Sequence, residues 1–189
     1  MPETIEALKF RKTPNAALDR MGIDEYKNSD KLPLVVLLDN VRSMLNVGSA
    51  FRTADAFLVE KIILTGITAK PPHREIHKSA LGATESVKWE YIQDTVEAIH
   101  KLKSEGYIIA SIEQAEPHQS LDNFKPERGK KYCLIFGNEV NGVEESAVQA
   151  SDLCLEIPQG GTKHSLNISV SIGVVLWKFF EEFRLRSTQ

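Results

Sequence analysis

Three segments of this 189-residue sequence concentrate the residue types that bind small polar ligands. They read DNVRSMLNVGSAFR after the apolar run 34–39, GNEVNGVEES after the run 131–136, and PQGGTKHSLN after the run 152–157. Glycine, asparagine and serine form tight turns and supply hydrogen-bonding groups, because glycine accepts left-handed backbone and the short polar side chains bond nearby amides. We therefore expect ligand binding at these three segments.

Several well-known ligand motifs are absent from the sequence. There is no GxxxxGKS/T phosphate loop, no GxGxxG dinucleotide fingerprint, no GxSxG nucleophile turn and no CxxC pair. His73 and His77 are four residues apart, a spacing that can place two metal ligands on one helix face. Pro71 and Pro72 precede them, and no acidic or cysteine partner lies at a metal-site spacing, so we expect no metal site.

The elements that must position these segments alternate between apolar runs and helical patterns. We predict strands at 34–39, 61–66, 86–91, 107–113, 131–137 and 152–158, helices at 45–58, 95–106, 143–151 and 165–184, and loops at 67–77 and 117–130. Such alternation indicates βαβ units, and strands that are apolar throughout are buried on both faces. The expected class is α/β, a mostly parallel sheet with helices on both faces. Ligands bind beyond the carboxyl ends of such strands, where the three segments start.

The first part of the chain has a different character. Residues 1–32 lack a β-rich run and are interpreted as an N-terminal helical extension, with residues 33–189 as the main domain. Within it, ALDRMGIDEYKN at 17–28 predicts a short helix that Gly22 interrupts.

The composition is that of one globular domain, with 42% hydrophobic and 26% charged residues. Cys133 and Cys154 lie in apolar runs and are interpreted as buried free thiols of a reducing compartment. A net charge of −3 argues against a uniformly basic, nucleic-acid-coating surface. No signal-peptide pattern and no membrane-length apolar stretch is present, so we expect a soluble, cytoplasmic protein that does not bind a membrane.

The three segments together resemble a known family. NVGSAFRTADAF (46–57), IFGNEVNGV (135–143) and IPQGGTKHSLNISVSIG (157–173) resemble, in order and spacing, the motifs of the SpoU/TrmH-type RNA 2′-O-ribose methyltransferases of the SPOUT superfamily. The resemblance extends over roughly residues 33–182. Gln159 departs from the family pattern, since members often have methionine after the Ile-Pro pair.

The resemblance implies a SPOUT-like α/β fold whose C-terminal part forms a trefoil knot, the cofactor S-adenosylmethionine held in loops of that knot, and a homodimer. It implies methylation of a ribose 2′-hydroxyl in tRNA or rRNA. By matching positions, it assigns the cofactor loops to Gly137, Ile157 and Leu166, and the catalytic constellation to Asn46, Arg52, Glu139, Ser165 and Asn167. Gly160 and Gly161 permit close backbone approach to a ligand, so we add Gly161 to the cofactor-binding residues.

Physical chemistry supports distinct roles for the two charged residues of this constellation. Arg52 carries a planar fork of donors that suits phosphate, and its high pKa makes it a poor base at neutral pH. We therefore expect Arg52 to bind phosphate and orient the ribose, the alternative being a surface ion pair. Glu139 could accept a hydrogen bond from the nucleotide, fix a neighbouring donor, or be an ordinary acid of a turn.

The three uncharged residues have structural alternatives. Asn46 could cap the helix that follows the first strand or reach the ribose, and Ser165 could cap the last helix. Asn167 lies two residues into that predicted helix, where asparagine is a poor helix former, so its presence favours a functional role.

Local basic clusters could bind RNA despite the negative net charge. The expected RNA-binding residues are Arg52, Lys70, Arg74, Lys78 and Lys163, with a further arm at Lys9, Arg11 and Lys12. Solvated surface is the alternative for each cluster.

The last predicted helix, 165–184, is apolar nearly all round, which is typical of a helix that is buried in the core or partly covered by a partner chain. We favour a share of its surface in a twofold interface, and we name Phe180 as an interface position. Two other functions remain alternatives to the methyltransferase: a catalytically inactive RNA-binding or assembly factor on the same scaffold, and an unrelated nucleotide-binding α/β module.

Overall fold

The computed structural model describes residues 12–14 and 17–184 of the chain. The strands in this part are β1 (Leu32–Asp39), β2 (Val59–Thr65), β3 (Lys88–Ile92), β4 (Tyr107–Ile112), β5 (Gln119–Ser120), β6 (Lys131–Phe136) and β7 (Leu153–Glu156). The helices are α1 (Ile23–Asn28), α2 (Met44–Ala56), α3 (Arg74–Ala80), α4 (Ala83–Ser86), α5 (Thr95–Ser104), α6 (Glu145–Ala150) and α7 (Ile168–Phe183). None of these described helices has both the length and the apolarity needed to cross a bilayer.

The strands form a single sheet in the order β3-β2-β1-β6-β4-β7-β5, and its neighbouring strands pair in parallel. The predicted α/β class with a mostly parallel sheet is therefore confirmed. Parallel strands end at one edge, and Leu38 near the end of β1 lies opposite Phe136 at the end of β6. The first and second segments consequently begin side by side at the carboxyl edge of the sheet.

Alternate side chains of β1 enter two hydrophobic clusters on opposite faces of the sheet. Leu34, Val36 and Leu38 pack with residues of α2, α3 and α7. Val35 and Leu37 pack with residues of α5 and α6. Helices thus cover both faces, as the uninterrupted apolarity of the strands predicts.

Two predicted loops contain regular structure. The predicted loop 67–77 is wrong in its last part, because α3 already begins at Arg74. His73 caps this helix, its Nδ1 accepting a hydrogen bond from the Glu75 amide at 3.2 Å. Pro71 and Pro72 precede this cap residue, so they do not interrupt the helix. The predicted loop 117–130 includes the two-residue strand β5, which pairs with β7.

Two predicted helices begin later than expected. The helix predicted at 17–28 begins at Ile23, because Gly22 is its N-cap residue rather than an interruption. The last helix begins at Ile168 and not at residue 165, because the chain enters it through an asparagine cap. The trefoil knot and the division of the chain between residues 32 and 33 stay predictions.

Cys133 and Cys154 are free and buried, as predicted. Burial raises the pKa of both thiols. Because a thiol needs to lose its proton to become a nucleophile or a metal ligand, neither is a reactive cysteine.

Candidate functional site

A cleft of about 490 Å³ opens at the carboxyl edge of the sheet, between the segments that follow β4, β6 and β7. The predicted site residues that line it are Gly137, Glu139, Ile157, Ser165, Leu166 and Asn167. The second and third segments therefore share one cavity. Asn46 adjoins this cleft through Glu139, whereas Gly161, Lys163 and Arg52 are not among its lining residues.

Gly137 allows the second segment to fold back tightly on itself. Asn138 and Gly142 exchange two main-chain hydrogen bonds, of 2.8 and 2.9 Å, which close a turn directly after it. A Cβ atom at residue 137 would lie 2.0 Å from the carbonyl carbon of Gly142, so only glycine fits. Packing alone accounts for this glycine, and its assignment to the cofactor stays a prediction.

Glu139 anchors the first segment to the second. Its carboxylate accepts hydrogen bonds from the main-chain amides of Arg42 and Ser43, both at 3.0 Å, and from the side-chain amide of Asn46, also at 3.0 Å. Burial acts to raise the pKa of Glu139, but these hydrogen bonds outweigh it and hold the pKa below the ordinary glutamate value. Glu139 is therefore a poor proton acceptor at neutral pH, and it fixes Asn46 in place.

Asn46 is not the cap of α2, so that alternative is wrong. The N-cap is Ser43, whose Oγ accepts a hydrogen bond from the Asn46 amide at 3.3 Å. The chain leaves β1 through a short loop, which places the cap three residues before Asn46. With its side-chain nitrogen bonded to Glu139, Asn46 keeps its Oδ1 without a hydrogen-bond donor among the described residues.

Asn167 is the N-cap of α7, so the predictions that placed it inside the helix and Ser165 at the cap are wrong. Its Oδ1 accepts hydrogen bonds from the amide and the hydroxyl of Ser169, at 2.9 and 2.6 Å. Capping explains an asparagine here without any ligand. Ser165 is exposed in the preceding loop and, like Asn167, lines the cleft.

The loop between β7 and α7 is exposed, and packing does not require its glycines. A Cβ atom at Gly160 or Gly161 would meet nothing within 4 Å. Gln114 Nε2 donates a hydrogen bond to the main-chain oxygen of His164 at 2.6 Å, which ties this loop to the end of β4. The role of Gly161 in cofactor binding stays a prediction.

Two residues after β4 line the cleft and were missed by the sequence analysis. Glu113 accepts a hydrogen bond from the Val143 amide at 2.9 Å, and Gln114 holds the β7–α7 loop. Their position directly after an apolar strand was the available signal, but they lack the glycine and asparagine that marked the other segments. Glu113, Glu139 and Glu156 give the cleft three carboxylates, with no lysine or arginine among its described lining residues. This charge favours a cationic ligand.

A buried polar network, also missed from the sequence, holds the first segment at the end of β1. Asp39 is fully buried and accepts hydrogen bonds from the Thr95 hydroxyl at 2.7 Å and the Glu144 amide at 2.8 Å. Asn40 adopts a left-handed conformation with φ 54° and donates from Nδ2 to Glu144 at 2.8 Å. The Asn40 main-chain oxygen accepts from Asn138 Nδ2 at 2.7 Å. The first two segments are thus rigidly joined.

Arg52 lies away from the cleft. It lines a separate cavity of about 470 Å³ together with Tyr26, Asp55 and Phe180, and the two cavities share no lining residue. Arg52 is exposed and makes no hydrogen bond or ion pair with any residue that the structure describes. Within one chain, Arg52 therefore does not line the cleft that Glu139, Ser165 and Asn167 line.

The three basic residues after β2 differ in their surroundings. Lys70 Nζ lies 4.1 Å from the centre of the Tyr91 ring, and Lys78 forms an ion pair with Glu75 at 2.7 Å. Arg74 is exposed and lines a third cavity, which neither Lys70 nor Lys78 lines. It has no carboxylate partner in the described part of the chain. Arg74 is consequently the member of this cluster most available to a phosphate.

The other predicted basic residues are spread along the chain. Lys163 is exposed in the loop that follows β7. The strand β7 lies four positions from β2, which corresponds to about 19 Å across the sheet. Of the predicted N-terminal arm, Lys12 is exposed, whereas Lys9 and Arg11 lie outside the described residues. The strand that precedes Lys163 is therefore not a neighbour of the strand that precedes the cluster.

No group of three or more histidine, cysteine, aspartate or glutamate side chains in the described residues is placed to hold a metal ion. His73 instead uses Nδ1 to cap α3. The structure thus gives His73 a role in helix capping.

The chain is similar to known proteins in sequence and in fold. The sequence model described as the SpoU rRNA Methylase family matches residues 33–177. The chain is 30% identical over 154 residues to the 23S rRNA (guanosine-2′-O-)-methyltransferase RlmB of Nitrosomonas europaea, an alignment that covers 82% of this chain and 58% of that protein. The chain thus spans less than two thirds of that relative.

Solved structures share the fold. The crystal structure of the A. aeolicus TrmH/SpoU tRNA modifying enzyme superposes with a TM-score of 0.75 at 24% identity, covering 86% of this chain and 80% of that one. The AdoMet-bound rRNA methyltransferase from Sinorhizobium meliloti superposes with a TM-score of 0.73 at 25% identity, covering 83% of this chain and 58% of that one.

Proposed function

This chain belongs to the SpoU rRNA Methylase family, and from that premise we propose that it transfers a methyl group from S-adenosylmethionine to a ribose 2′-hydroxyl in tRNA or rRNA. The observation that carries the proposal is the carboxyl-edge cleft, where the segments after β6 and β7 meet. The 2′-O-methyltransferase RlmB, to which the chain is similar, supports the reaction type.

The cleft suits S-adenosylmethionine because its lining combines negative charge with an apolar surface. When bound, this cofactor supplies an electrophilic methyl group on a positively charged sulfonium, and the carboxylates of the cleft complement that charge. Leu166 is 39% exposed in the lining, which offers an apolar surface for the adenine ring. Gly137, Ile157 and Leu166 would hold the cofactor, with Gly161 on the adjoining loop.

The remaining residues would orient the acceptor. The side-chain amide of Asn46 is fixed by Glu139, which lines the cleft, and its oxygen has no donor among the described residues. Ser165 and Asn167 line the cleft themselves. Arg52 would hold the phosphate beside the reacting ribose, because its planar donors match phosphate geometry. Glu139 acts through Asn46, and is thus a positioning residue.

A homodimer would resolve the separation of Arg52 from the cleft, because a second copy can bring its Arg52 to the first copy's cofactor. The exposed face of α7 supports such an interface. Val170, Val174 and Trp177 follow one another at helical spacing and are 51%, 40% and 50% exposed. Three large apolar side chains on one stripe are typical of a covered surface.

RNA is the proposed partner, bound through local basic residues. Arg74 and Lys163 offer exposed cations, while Lys70 and Lys78 have contacts within the chain. Because the cleft itself is acidic, the RNA backbone would lie across its rim rather than in it. The two free, buried thiols support action in a reducing compartment, the cytoplasm.

The proposal is tested by incubating the purified protein with total RNA and S-adenosylmethionine labelled in its methyl group. Label in RNA is the expected result, and calorimetry should show cofactor binding that persists in EDTA. RNA binding without methyl transfer or cofactor binding would identify an inactive RNA-binding factor instead. Cofactor affinity that disappears with chelator would contradict the metal-free site.

A further inference from the structure

A second cavity, of about 470 Å³, lies where the N-terminal segment meets α2 and α4. We call it the Tyr26 cavity; its lining includes Arg20, Ile23, Tyr26, Arg52, Asp55 and Phe180. It is separate from the carboxyl-edge cleft, because the two cavities share no lining residue. It nevertheless contains Arg52, the residue proposed to hold the phosphate of the acceptor.

The hydroxyl of Tyr26 has no structural explanation among the residues that the structure describes. The side chain is 5% exposed, and its hydroxyl oxygen is buried without a hydrogen-bond partner among the described residues. Buried polar groups in folded proteins nearly always have a partner. Burial and the nearby charge of Asp55 raise the pKa of Tyr26, so the hydroxyl keeps a hydrogen to donate.

Two charged groups of opposite sign belong to the same cavity. The Ser86 hydroxyl donates a hydrogen bond to Asp55 Oδ2, which fixes that carboxylate and leaves Oδ1 without a donor among the described residues. Arg52, three residues earlier on α2, forms no ion pair with Asp55 or with any other described carboxylate. The cavity is thus lined by an available guanidinium, a fixed acceptor and a tyrosine whose buried hydroxyl is an unpaired donor among the described residues.

We propose that the Tyr26 cavity receives one unstacked nucleotide of the substrate RNA, with its phosphate on Arg52 and the polar edge of its base on Asp55 and Tyr26. The inference rests on the proposed function, since it places the acceptor strand of that reaction. A nucleotide matches the cavity at both ends, because it carries an anion and a base edge with donors and acceptors. Ile23 and Phe180 supply apolar surface for the faces of the base.

The substitution Tyr26→Phe tests the role of the hydroxyl and keeps the ring. If the hydroxyl binds the base, kcat/KM for RNA falls about three- to tenfold, mainly through KM, with the affinity for S-adenosylmethionine unchanged. Thermal stability should not fall, because the variant removes no hydrogen bond to any described residue. Wild-type kinetics in Tyr26→Phe would overturn the inference.

Tyr107→Phe is the matched control. The Tyr107 hydroxyl donates to Glu60 at 2.8 Å, and Tyr107 packs in the hydrophobic cluster on the opposite face of the sheet. This variant should lose stability while keeping the wild-type kcat/KM. An equal loss of kcat/KM in both variants would show that the effect in Tyr26→Phe is a general consequence of removing a hydroxyl, and would also overturn the inference.

Direct binding separates this inference from the proposed function. AMP, CMP, GMP and UMP are added singly to the isotope-labelled protein, and amide signals are followed by NMR. Saturable shifts at Gly22, Ile23 and Ala56 that disappear in Arg52→Ala support the cavity even if methyl transfer fails. Absence of such shifts overturns it even if methyl transfer succeeds. A change of the dimer dissociation constant in Tyr26→Phe would assign the cavity to a second copy and also overturn it.

Discussion

The side-chain amide of Asn46 donates a hydrogen bond to Glu139 at 3.0 Å, across 93 residues of sequence. The same carboxylate accepts hydrogen bonds from the main-chain amides of Arg42 and Ser43, the two residues directly before α2. A negative charge at a helix N-terminus is favourable, because the amides there have no partner within the helix. One glutamate thereby joins two of the three segments and orients the asparagine that lies beside the cleft.

We predict that Glu139→Gln loses stability and activity together. Glutamine removes the negative charge and sets an NH₂ group against one of the donors, so the free energy of unfolding should fall by about 1–2 kcal/mol. Methyl transfer should fall at least tenfold because Asn46 is released. Glu145→Gln is the control, since Glu145 bonds only the surface Gln149 among the described residues. Chemical denaturation and transfer assays report both effects, and a stable, fully active Glu139→Gln would contradict the anchoring role.

The same carboxylate predicts a pH dependence of stability. The pKa of Glu139 is lowered in the folded state, so its stabilising contribution is complete above the ordinary glutamate pKa and is lost as the pH falls through the lowered value. The difference in melting temperature between wild type and Glu139→Gln should therefore shrink in acid. A difference that stays constant down to the acid limit of folding would show that the charge is unimportant.

Arg52→Ala should abolish methyl transfer and leave the affinity for S-adenosylmethionine nearly unchanged, because Arg52 lies outside the cofactor cleft. Arg52→Lys should also be impaired, since an ammonium cannot reproduce the planar fork. Single-turnover assays and calorimetry separate the two quantities. Full activity in Arg52→Ala would end its catalytic assignment.

Introducing a charge on the exposed stripe of α7 should dissociate the proposed dimer. Val174→Glu and Trp177→Glu are the suitable variants, because both side chains are exposed. Phe180, named as an interface position from the sequence, is a poor probe: it is half-buried and its ring lies 5.4 Å from that of Phe57. Sedimentation should show a folded monomer for the variants. A wild-type monomer at micromolar concentration would refute the dimer.

RNA binding should depend on salt through Arg74 more than through its neighbours. For every phosphate that the protein no longer neutralises, the slope of log affinity against log salt falls by roughly 0.7 to 0.9. Arg74→Ala should reduce the slope by about that amount, and Lys78→Ala by less, because Lys78 is paired with Glu75. The triple change of Lys70, Arg74 and Lys78 to alanine should weaken binding without altering cofactor affinity. An unchanged slope in the triple variant would place the RNA elsewhere.

The sequence predicts the strands and the edge of the sheet well, because apolar runs and parallel alternation are local signals. Helix starts are harder, since a cap depends on where the chain enters the helix. Sequence spacing places Asn167 inside α7, although Asn167 is the N-cap residue of that helix. It also allows Asn46 as the N-cap of α2, although Ser43 is the cap and Asn46 lies three residues beyond it. Arg52 does not line the cleft although Asn46, six residues earlier on α2, adjoins it through Glu139, and motif spacing does not reveal which cavity a helix residue lines.

The chemical position of the transferred methyl group distinguishes ribose methylation from every other activity of this chain on RNA. RNA from a strain that lacks the gene is incubated with the protein and S-adenosylmethionine, digested to nucleosides and analysed by mass spectrometry. We expect a 2′-O-methylated nucleoside at a single RNA site, formed by the wild-type protein and absent with Arg52→Ala. A methyl group on a base, or no new methylated nucleoside in any RNA fraction, would contradict the proposed function.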